Sequence, residues 1–341
     1  MSGKLMTQSA PRPMKFFRAD RASRPFVAKK GENWLPLAEL DGLLAADELL
    51  AYDLAYLGRS YFEGFDHWAQ HGGADVRVAV LDSGVDLGHP ALKDAVVEHK
   101  TFVPGDDDAQ DMDGHGTHCA GIIGGRPTNG SGPFSGIAPR TELVIGKIFP
   151  DDPRAGADAN VIAKAIVWAA QRADIISLSL SSPVSSAALF DAVHAAVAQG
   201  KILICAAGNQ GMVRNRLGYP ARYGSVITVG AHDAHGEPVR FSSCGGEIDF
   251  GGLGENVWST FVHKGEHGYA RLSGTSMAAP FVAGIAALIL SKHRHQEDNG
   301  TPIENIEDMK EHLMRIAARP NTHDDKLGYG PLWPLDIYQA G

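Results

Sequence analysis

The sequence predicts an α/β protein whose mainly parallel sheet is covered by helices on both faces. Short runs of consecutive apolar residues alternate along the chain with longer segments in which apolar residues recur at helical spacing. A strand that is buried on both faces is apolar throughout, and this pattern is typical of parallel sheets. The predicted strands are residues 76–81, 143–149, 175–180, 202–206 and 226–229.

Helices are predicted between these strands and before them. Asp158 is a candidate N-cap for a helix that continues to residue 170, and residues 187–199 form a helix that ends at Gly200. Residues 1–33 look irregular because prolines interrupt them, whereas a leucine stripe predicts a helix over 36–57. A further helical segment is predicted over 61–70.

Composition narrows the function. The net charge of -9 argues against nucleic acid as a partner, because phosphate binding needs a basic surface. We expect no membrane-spanning segment. The basic start lacks the apolar core of a signal peptide, so we expect a cytoplasmic protein, with a secreted form left open. Cys119, Cys205 and Cys244 form neither a disulfide framework nor a zinc motif. The sequence says nothing about oligomeric state.

Three segments carry chemically useful side chains. Asp82 ends a predicted strand and precedes a glycine turn, His115 lies between two glycines, and Ser276 begins an apolar helix. Pro280 is expected in the first turn of that helix, where its missing N–H is not needed. The positive end of a helix dipole favours a developing oxyanion near such a serine. Taken singly, each segment has another interpretation. Asp82 is a common strand-end carboxylate, His115 and His118 have the spacing of a metal pair, and Ser276 resembles a helix N-cap.

Together the segments resemble subtilisin-family (subtilase) serine peptidases, in which Asp, His and Ser follow one another in this order. The matching motifs are Asp82-Ser83-Gly84, the four residues from His115 and the seven from Gly274 to Pro280. The resemblance implies a three-layer subtilisin-like fold over residues 59–341. It also implies an acyl-enzyme on Ser276, with His115 moving the proton and Asp82 orienting the histidine. Asn209 matches the family's oxyanion-hole asparagine.

The same resemblance implies a peptide or protein substrate, bound as an extended strand. The expected substrate-binding residues are Ser179, Leu180, Ser181, Ala207, Gly208 and Gly218. Ser181 and Ser182 replace two glycines that usually shape the pockets in the family. This substitution predicts narrower or more polar pockets and restricted specificity, as in a maturation or processing protease. A shifted strand with broad specificity is the alternative.

No cofactor is expected to be required. Ala91 stands where many family members carry an acidic calcium ligand, so structural calcium is doubtful. The cluster Asp106, Asp107, Asp108, Asp111 and Asp113 is interpreted as a solvated loop rather than a cation site. We expect no metal ligand among the functional residues.

Residues 1–58 are predicted to be an N-terminal extension that packs on the catalytic domain and regulates access to it. Two other classes remain as alternatives to an active peptidase. One is a catalytically silent relative that only binds peptides, against which the filled catalytic positions argue. The other is an α/β-hydrolase esterase or lipase, which would place a G-x-S-x-G motif around the serine and order the residues Ser, Asp, His.

Overall fold

The computed structural model describes residues 15–18, 34–36, 72–127, 134–152, 155–212, 217–295, 302–334 and 337; for 15–18 and 34–36 only the backbone is described. The strands are β1 Lys15–Arg18, β2 Trp34–Pro36, β3 Arg77–Asp82, β4 Val96–Thr101, β5 Glu142–Lys147, β6 Ala157–Asp158, β7 Ile175–Leu178, β8 Leu180–Ser181, β9 Ile202–Ala206, β10 Ile227–His232, β11 Phe250–Leu253, β12 Val257–His263 and β13 Glu266–Leu272. The helices are α1 His115–Gly124, α2 Ala159–Ala170, α3 Ala187–Val197, α4 Thr275–Arg294 and α5 Ile306–Ile316.

A seven-stranded sheet forms the centre of the molecule, in the order β11-β10-β9-β7-β3-β5-β4. Every neighbouring pair in it is parallel. One core cluster contains residues of α1, α4 and α5, and a second contains residues of α2 and α3. The sheet separates these two clusters. The predicted three-layer α/β architecture is therefore confirmed.

The predicted central strands correspond to β3, β5, β7, β9 and β10, with bounds shifted by at most a few residues. Asp158 caps α2 as predicted, since its side chain accepts a hydrogen bond from the backbone N–H of Asn160 at 2.8 Å. The helix over 187–199 is α3, and Gly200 after it adopts a left-handed φ of 74°. The strands β4 and β11–β13 and the helix α5 were not predicted.

The N-terminal part corrects one expectation. Residues 1–33 were expected to be irregular, but residues 15–18 form strand β1, which pairs antiparallel with both β6 and β8. Strand β2 pairs antiparallel with β13. Both pairings join the N-terminal region to later strands of the chain through backbone hydrogen bonding. Pro36 ends β2, while the rest of the helix predicted over 36–57 and the one over 61–70 lie outside the described residues.

Helix α4 corrects a second expectation, that no stretch is long and apolar enough to cross a membrane. By length and composition alone, α4 meets that test. Its residues from Thr275 to Ser291 are all buried, because the central sheet and α1 surround it. An apolar helix enclosed on all sides is a core helix of the fold. The same burial fixes the first residues of α4, where Ser276 lies.

Candidate active site

Asp82 and His115 are joined by a short, buried hydrogen bond. Asp82 is the last residue of β3 and His115 is the first of α1. His115 Nδ1 donates to Asp82 Oδ1 at 2.7 Å, since a carboxylate oxygen can only accept. Both side chains are almost completely buried. Protonation of Nδ1 leaves Nε2 of a neutral His115 as an acceptor, which is the state a general base needs.

The glycines of the two motifs allow β3 and α1 to approach this closely. A Cβ atom on Gly116 would lie 2.2 Å from the carbonyl oxygen of Gly84, so a side chain there would collide with backbone. Gly116 N donates instead to Ser83 Oγ at 2.8 Å. Ser83 N in turn donates to Asp82 Oδ1 at 2.7 Å. Small residues are therefore needed beside Asp82 and His115, because the two motifs are in direct contact there.

The start of α1 is held by a buried carboxylate that the sequence analysis assigned to a solvated loop. Asp111 Oδ1 accepts hydrogen bonds from the backbone N–H groups of Asp113 and Gly114, at 2.9 and 3.0 Å. Asp111 Oδ2 accepts from N and Oγ1 of Thr117, at 2.9 and 2.6 Å. Burial raises the pKa of this carboxyl, against the effect of the donors around it. Asp111 thus fixes the turn that leads into His115.

Ser276 is the second residue of α4 and is completely buried. The N-cap is Gly274, so Ser276 is not the N-cap that the alternative interpretation proposed. Pro280 lies within the helix, four residues after Ser276, rather than in its first turn as expected. Because proline has no N–H, it leaves the carbonyl of Ser276 without its usual helical donor. Ser179 Oγ donates to that carbonyl at 2.8 Å instead.

Asn209 is held in place by Thr275, the first residue of α4. Its Oδ1 accepts hydrogen bonds from N and Oγ1 of Thr275, both at 3.0 Å. Since a backbone N–H can only donate, this fixes which end of the amide faces Thr275. Thr275 Oγ1 also accepts from Gly208 N at 3.1 Å. Asn209 Nδ2 and Ser276 Oγ are both buried, and neither has a hydrogen-bond partner among the described residues.

Cys119 is a neighbour of the site that the sequence analysis missed. Its thiol lies 3.4 Å from the carbonyl oxygen of Ser276 and 3.9 Å from His115 Nδ1. Burial raises the pKa of the thiol, which favours its neutral form. The available signal was its spacing, because residues four apart lie on the same face of a helix. His115 and Ser276 therefore both lie close to one buried thiol.

The metal pair proposed for His115 and His118 does not fit the geometry. His118 Nε2 faces the carbonyl oxygens of Val257 and Ala270, both at 3.0 Å, so this nitrogen carries a proton. Burial lowers the pKa of His118 to about 3. Asp82, His115 and Cys119 do offer three ligand atoms within 4.8 Å of one another. An ion there would have to replace the hydrogen bond between Asp82 and His115.

The rest of the acidic cluster is also partly neutralised. The nearly buried Lys147 lies with its Nζ 2.8 Å from Asp106 Oδ2 and 2.7 Å from Asp151 Oδ1. It also donates to the carbonyl of Gln110 at 2.9 Å. Asp113 Oδ1 accepts from His115 N at 3.2 Å. A lysine ammonium thus pairs with Asp106, one of the five carboxylates of that cluster.

The predicted substrate-binding residues lie beside Ser276. Ser179 and Leu180 continue from β7 into β8, and Ala207 and Gly208 follow β9 directly before Asn209. Gly218 borders β8, because Tyr219 and Ser182 exchange backbone hydrogen bonds of 2.8 and 3.1 Å. Ser179 thus contacts Ser276 and Gly208 contacts Thr275, while Ser181 lies close to both Gly208 and Gly218.

Comparison with known proteins agrees with this arrangement. Residues 73–330 match the subtilase family. The major intracellular serine protease of Bacillus subtilis (strain 168) is 41% identical over 226 residues, which are 64% of this chain and 69% of that protein. Thermitase of Thermoactinomyces vulgaris is 36% identical over 242 residues, covering 71% of this chain and 84% of thermitase.

A solved structure supports the same assignment at the level of the fold. A cold adapted subtilisin-like serine proteinase superposes with a TM-score of 0.65 at 30% sequence identity, covering 77% of this chain and 90% of that one. Shared family, shared fold and matching motifs set aside both the α/β-hydrolase and the catalytically silent alternatives. The chain belongs to the subtilase family and is a subtilisin-like serine endopeptidase.

Proposed function

We propose that Ser276 is the nucleophile of this endopeptidase, with His115 as general base and acid, Asp82 as the group that orients His115, and Asn209 as oxyanion donor. The observation that carries the proposal is the buried 2.7 Å hydrogen bond from His115 Nδ1 to Asp82 Oδ1. It holds the tautomer in which Nε2 accepts a proton and stabilises the imidazolium that forms.

The reaction then proceeds by acyl transfer. Ser276 Oγ gives its proton to His115 Nε2 and attacks the carbonyl carbon of the substrate. The carbonyl oxygen gains charge and receives the hydrogen bond of Asn209 Nδ2, whose orientation Thr275 already fixes. His115 returns the proton to the leaving amine as the peptide bond breaks. It next takes a proton from water, which hydrolyses the acyl-enzyme.

Covalent labelling tests these roles. A fluorophosphonate probe phosphonylates an activated serine, so the wild type should be labelled and Ser276→Ala should not. His115→Ala should lose labelling although Ser276 is intact, while Ser179→Ala, which lacks a different hydroxyl next to Ser276, should still be labelled. Labelling that persists in Ser276→Ala would overturn the assignment of the nucleophile.

The substrate is a peptide or protein, and we propose that only a restricted set of sequences is cleaved, as suits a maturation or processing enzyme. Support comes from Ser181, which stands in a position bordered by Gly208 and Gly218. Cleavage of a proteome-derived peptide library, read by mass spectrometry, tests this. Equal cleavage after most residue types would contradict restricted specificity.

We further propose that residues 1–58 form an extension that packs on the catalytic part and regulates access to it. The pairing order β6-β1-β8 supports this, because β1 lies directly beside β8, where a substrate strand is expected to bind. An extended peptide substrate would have to compete with β1 for the same edge.

A backbone substitution tests the extension without removing it. Proline at residue 17 removes a backbone donor from the middle of β1 and should raise kcat/KM for a short peptide substrate. Phe17→Ala keeps the donor and serves as the matched control. If Phe17→Pro and Phe17→Ala had equal kcat/KM values, β1 would not limit access.

No cofactor requirement and a cytoplasmic location remain proposals as well. The contacts of Lys147 and Asp111 support the first, because they use oxygens that a cation would need. Chelation by EDTA should then leave the melting temperature unchanged. A drop in melting temperature that added Ca²⁺ reverses would contradict the absence of a cofactor requirement.

The proposed cytoplasmic location is supported by the similarity to the intracellular protease of Bacillus subtilis. Cell fractionation would test it.

A further inference from the structure

Ser181 occupies the space between two glycines beside the nucleophile. A Cβ atom placed on Gly218 would lie 1.9 Å from Ser181 Oγ and 3.1 Å from its Cβ. A Cβ atom placed on Gly208 would lie 3.2 Å from the same Oγ. The hydroxyl of Ser181 therefore fills the gap that the two missing side chains leave open.

The neighbouring Ser182 does not share this position. Its side chain is buried, and its Oγ donates to the carbonyl of Val184 at 3.1 Å and accepts from Val184 N at 3.2 Å. Ser182 is thus bound within its own turn. Of the two serines that replace family glycines, only Ser181 reaches the space between Gly208 and Gly218.

This space is where the substrate side chain next to the cleaved bond must go. The attacked carbonyl carbon lies at Ser276 and its oxygen faces Asn209, so the same substrate residue lies against Gly208, which precedes Asn209. A substrate strand along β8 passes Ser181 on the other side. Ala207 and Leu217, which directly precede the two glycines in the chain, are buried together with Ile248 in a small apolar cluster.

We propose that Ser181 restricts the residue before the cleaved bond to a small side chain, that of glycine, alanine or serine. The inference rests on the peptidase mechanism proposed above and names its substrate class. An aromatic or long aliphatic side chain would need the volume that Ser181 Oγ occupies. Close-packed protein interiors do not yield such volume without loss of binding.

Two peptide substrates that differ only in the residue before the cleaved bond, Ala or Phe, test the proposal. The wild type should cleave the Ala peptide with at least about tenfold higher kcat/KM, within the range that pocket size gives. Ser181→Gly should raise the ratio of kcat/KM for the Phe peptide to kcat/KM for the Ala peptide by about tenfold or more. Ser181→Ala should lie between the two.

Ser182→Gly is the matched control, since it makes the same change one residue away in a side chain outside the gap. Its ratio of the two kcat/KM values should equal that of the wild type. The inference would be overturned if the wild type preferred the Phe peptide, or if Ser181→Gly had the same ratio of the two kcat/KM values as the wild type. In both cases the mechanism would stand as long as cleavage was lost in Ser276→Ala. A wild type that neither cleaved peptides nor reacted with the fluorophosphonate would instead overturn the mechanism. Melting temperatures of all variants verify that they are folded.

Discussion

Asn209 takes its orientation from Thr275 before any substrate arrives. Both hydrogen bonds to its Oδ1 come from this one residue, and the same hydroxyl holds Gly208 N. A donor that is already aligned needs no reorganisation when negative charge develops on the substrate oxygen. The threonine directly before the nucleophile therefore acts through the asparagine, as a positioning residue.

Replacing Thr275 by valine should lower kcat about fivefold with little change in KM, because the loss of about 1 kcal/mol of hydrogen bonding affects mainly the transition state. Asn209→Ala should cost more, about 10²–10³ in kcat, since the donor itself is removed. Steady-state kinetics on one peptide substrate measures both. Thr275→Ser keeps the hydroxyl and should stay close to wild type. A Thr275→Val enzyme with unchanged kcat would exclude the positioning role.

Single residues also mark what the sequence could not predict. Asp82, His115, Asn209 and Ser276 were identified from motifs, and the structure brings them to one place. Cys119 and the buried contacts of Asp111 were missed, because they depend on packing between segments distant in the chain. Pro280 was placed in the wrong turn, so its effect on the Ser276 carbonyl was not foreseen.

At the scale of elements, the position of His115 depends on how α1 begins. Four donors converge on the carboxylate of Asp111, two of them from the backbone that enters the helix. The N-cap residue of α1 is Gly114, which has no side chain to accept the hydrogen bonds of the first helical N–H groups. The carboxylate of Asp111 provides such an acceptor instead. The loop and helix that carry His115 thus depend on one buried acid.

Asp111→Ala should destabilise the protein by about 2–4 kcal/mol, since several buried donors lose their acceptor. It should also lower kcat, because His115 loses its fixed backbone. Urea unfolding in a Ser276→Ala background measures the stability without self-digestion. Asp108→Ala, an exposed acid of the same segment, is the control and should have little effect. Equal stability of the two variants would contradict the capping role.

Elements buried on both faces were the ones that the sequence predicted best. Strands β3, β7 and β9 are almost entirely buried and mostly apolar, and their composition alone reveals them. Strand β4 lies at the edge of the sheet and several of its residues are exposed, so its apolar pattern in the sequence is weak. Strand β1 is defined only by its pairing with β6 and β8, which no local pattern encodes.

For the molecule as a whole, two buried histidines contribute to the response of stability to acid. Burial lowers the pKa of His118 to about 3 and that of His232 to about 4, below the unfolded value of 6.5. At these two sites the unfolded chain binds more protons than the folded one between these values. Their contribution to stability is complete above pH 6.5 and is lost as the pH falls toward the folded pKa values.

His118→Gln should reduce this loss, because an amide can donate to the carbonyls of Val257 and Ala270 but does not titrate. The free energy of unfolding should then fall less steeply between pH 6.5 and 4.5, by about 1.4 kcal/mol per pH unit at most. Urea unfolding at several pH values in a Ser276→Ala background measures it. His235→Gln, an exposed histidine, should leave the slope as it is. Parallel curves for the wild type and His118→Gln would contradict the prediction.

Strand β1 belongs to the same chain as the edge that it covers, and this connection has a kinetic consequence. A tethered strand competes at an effective concentration in the millimolar range for a short linker, whatever the amount of enzyme in solution. Dilution would release a separate peptide from this edge but would not release a tethered strand. Activation would therefore follow a first-order rate that does not depend on enzyme concentration when the strand detaches by itself, and a second-order rate when another molecule cuts the tether.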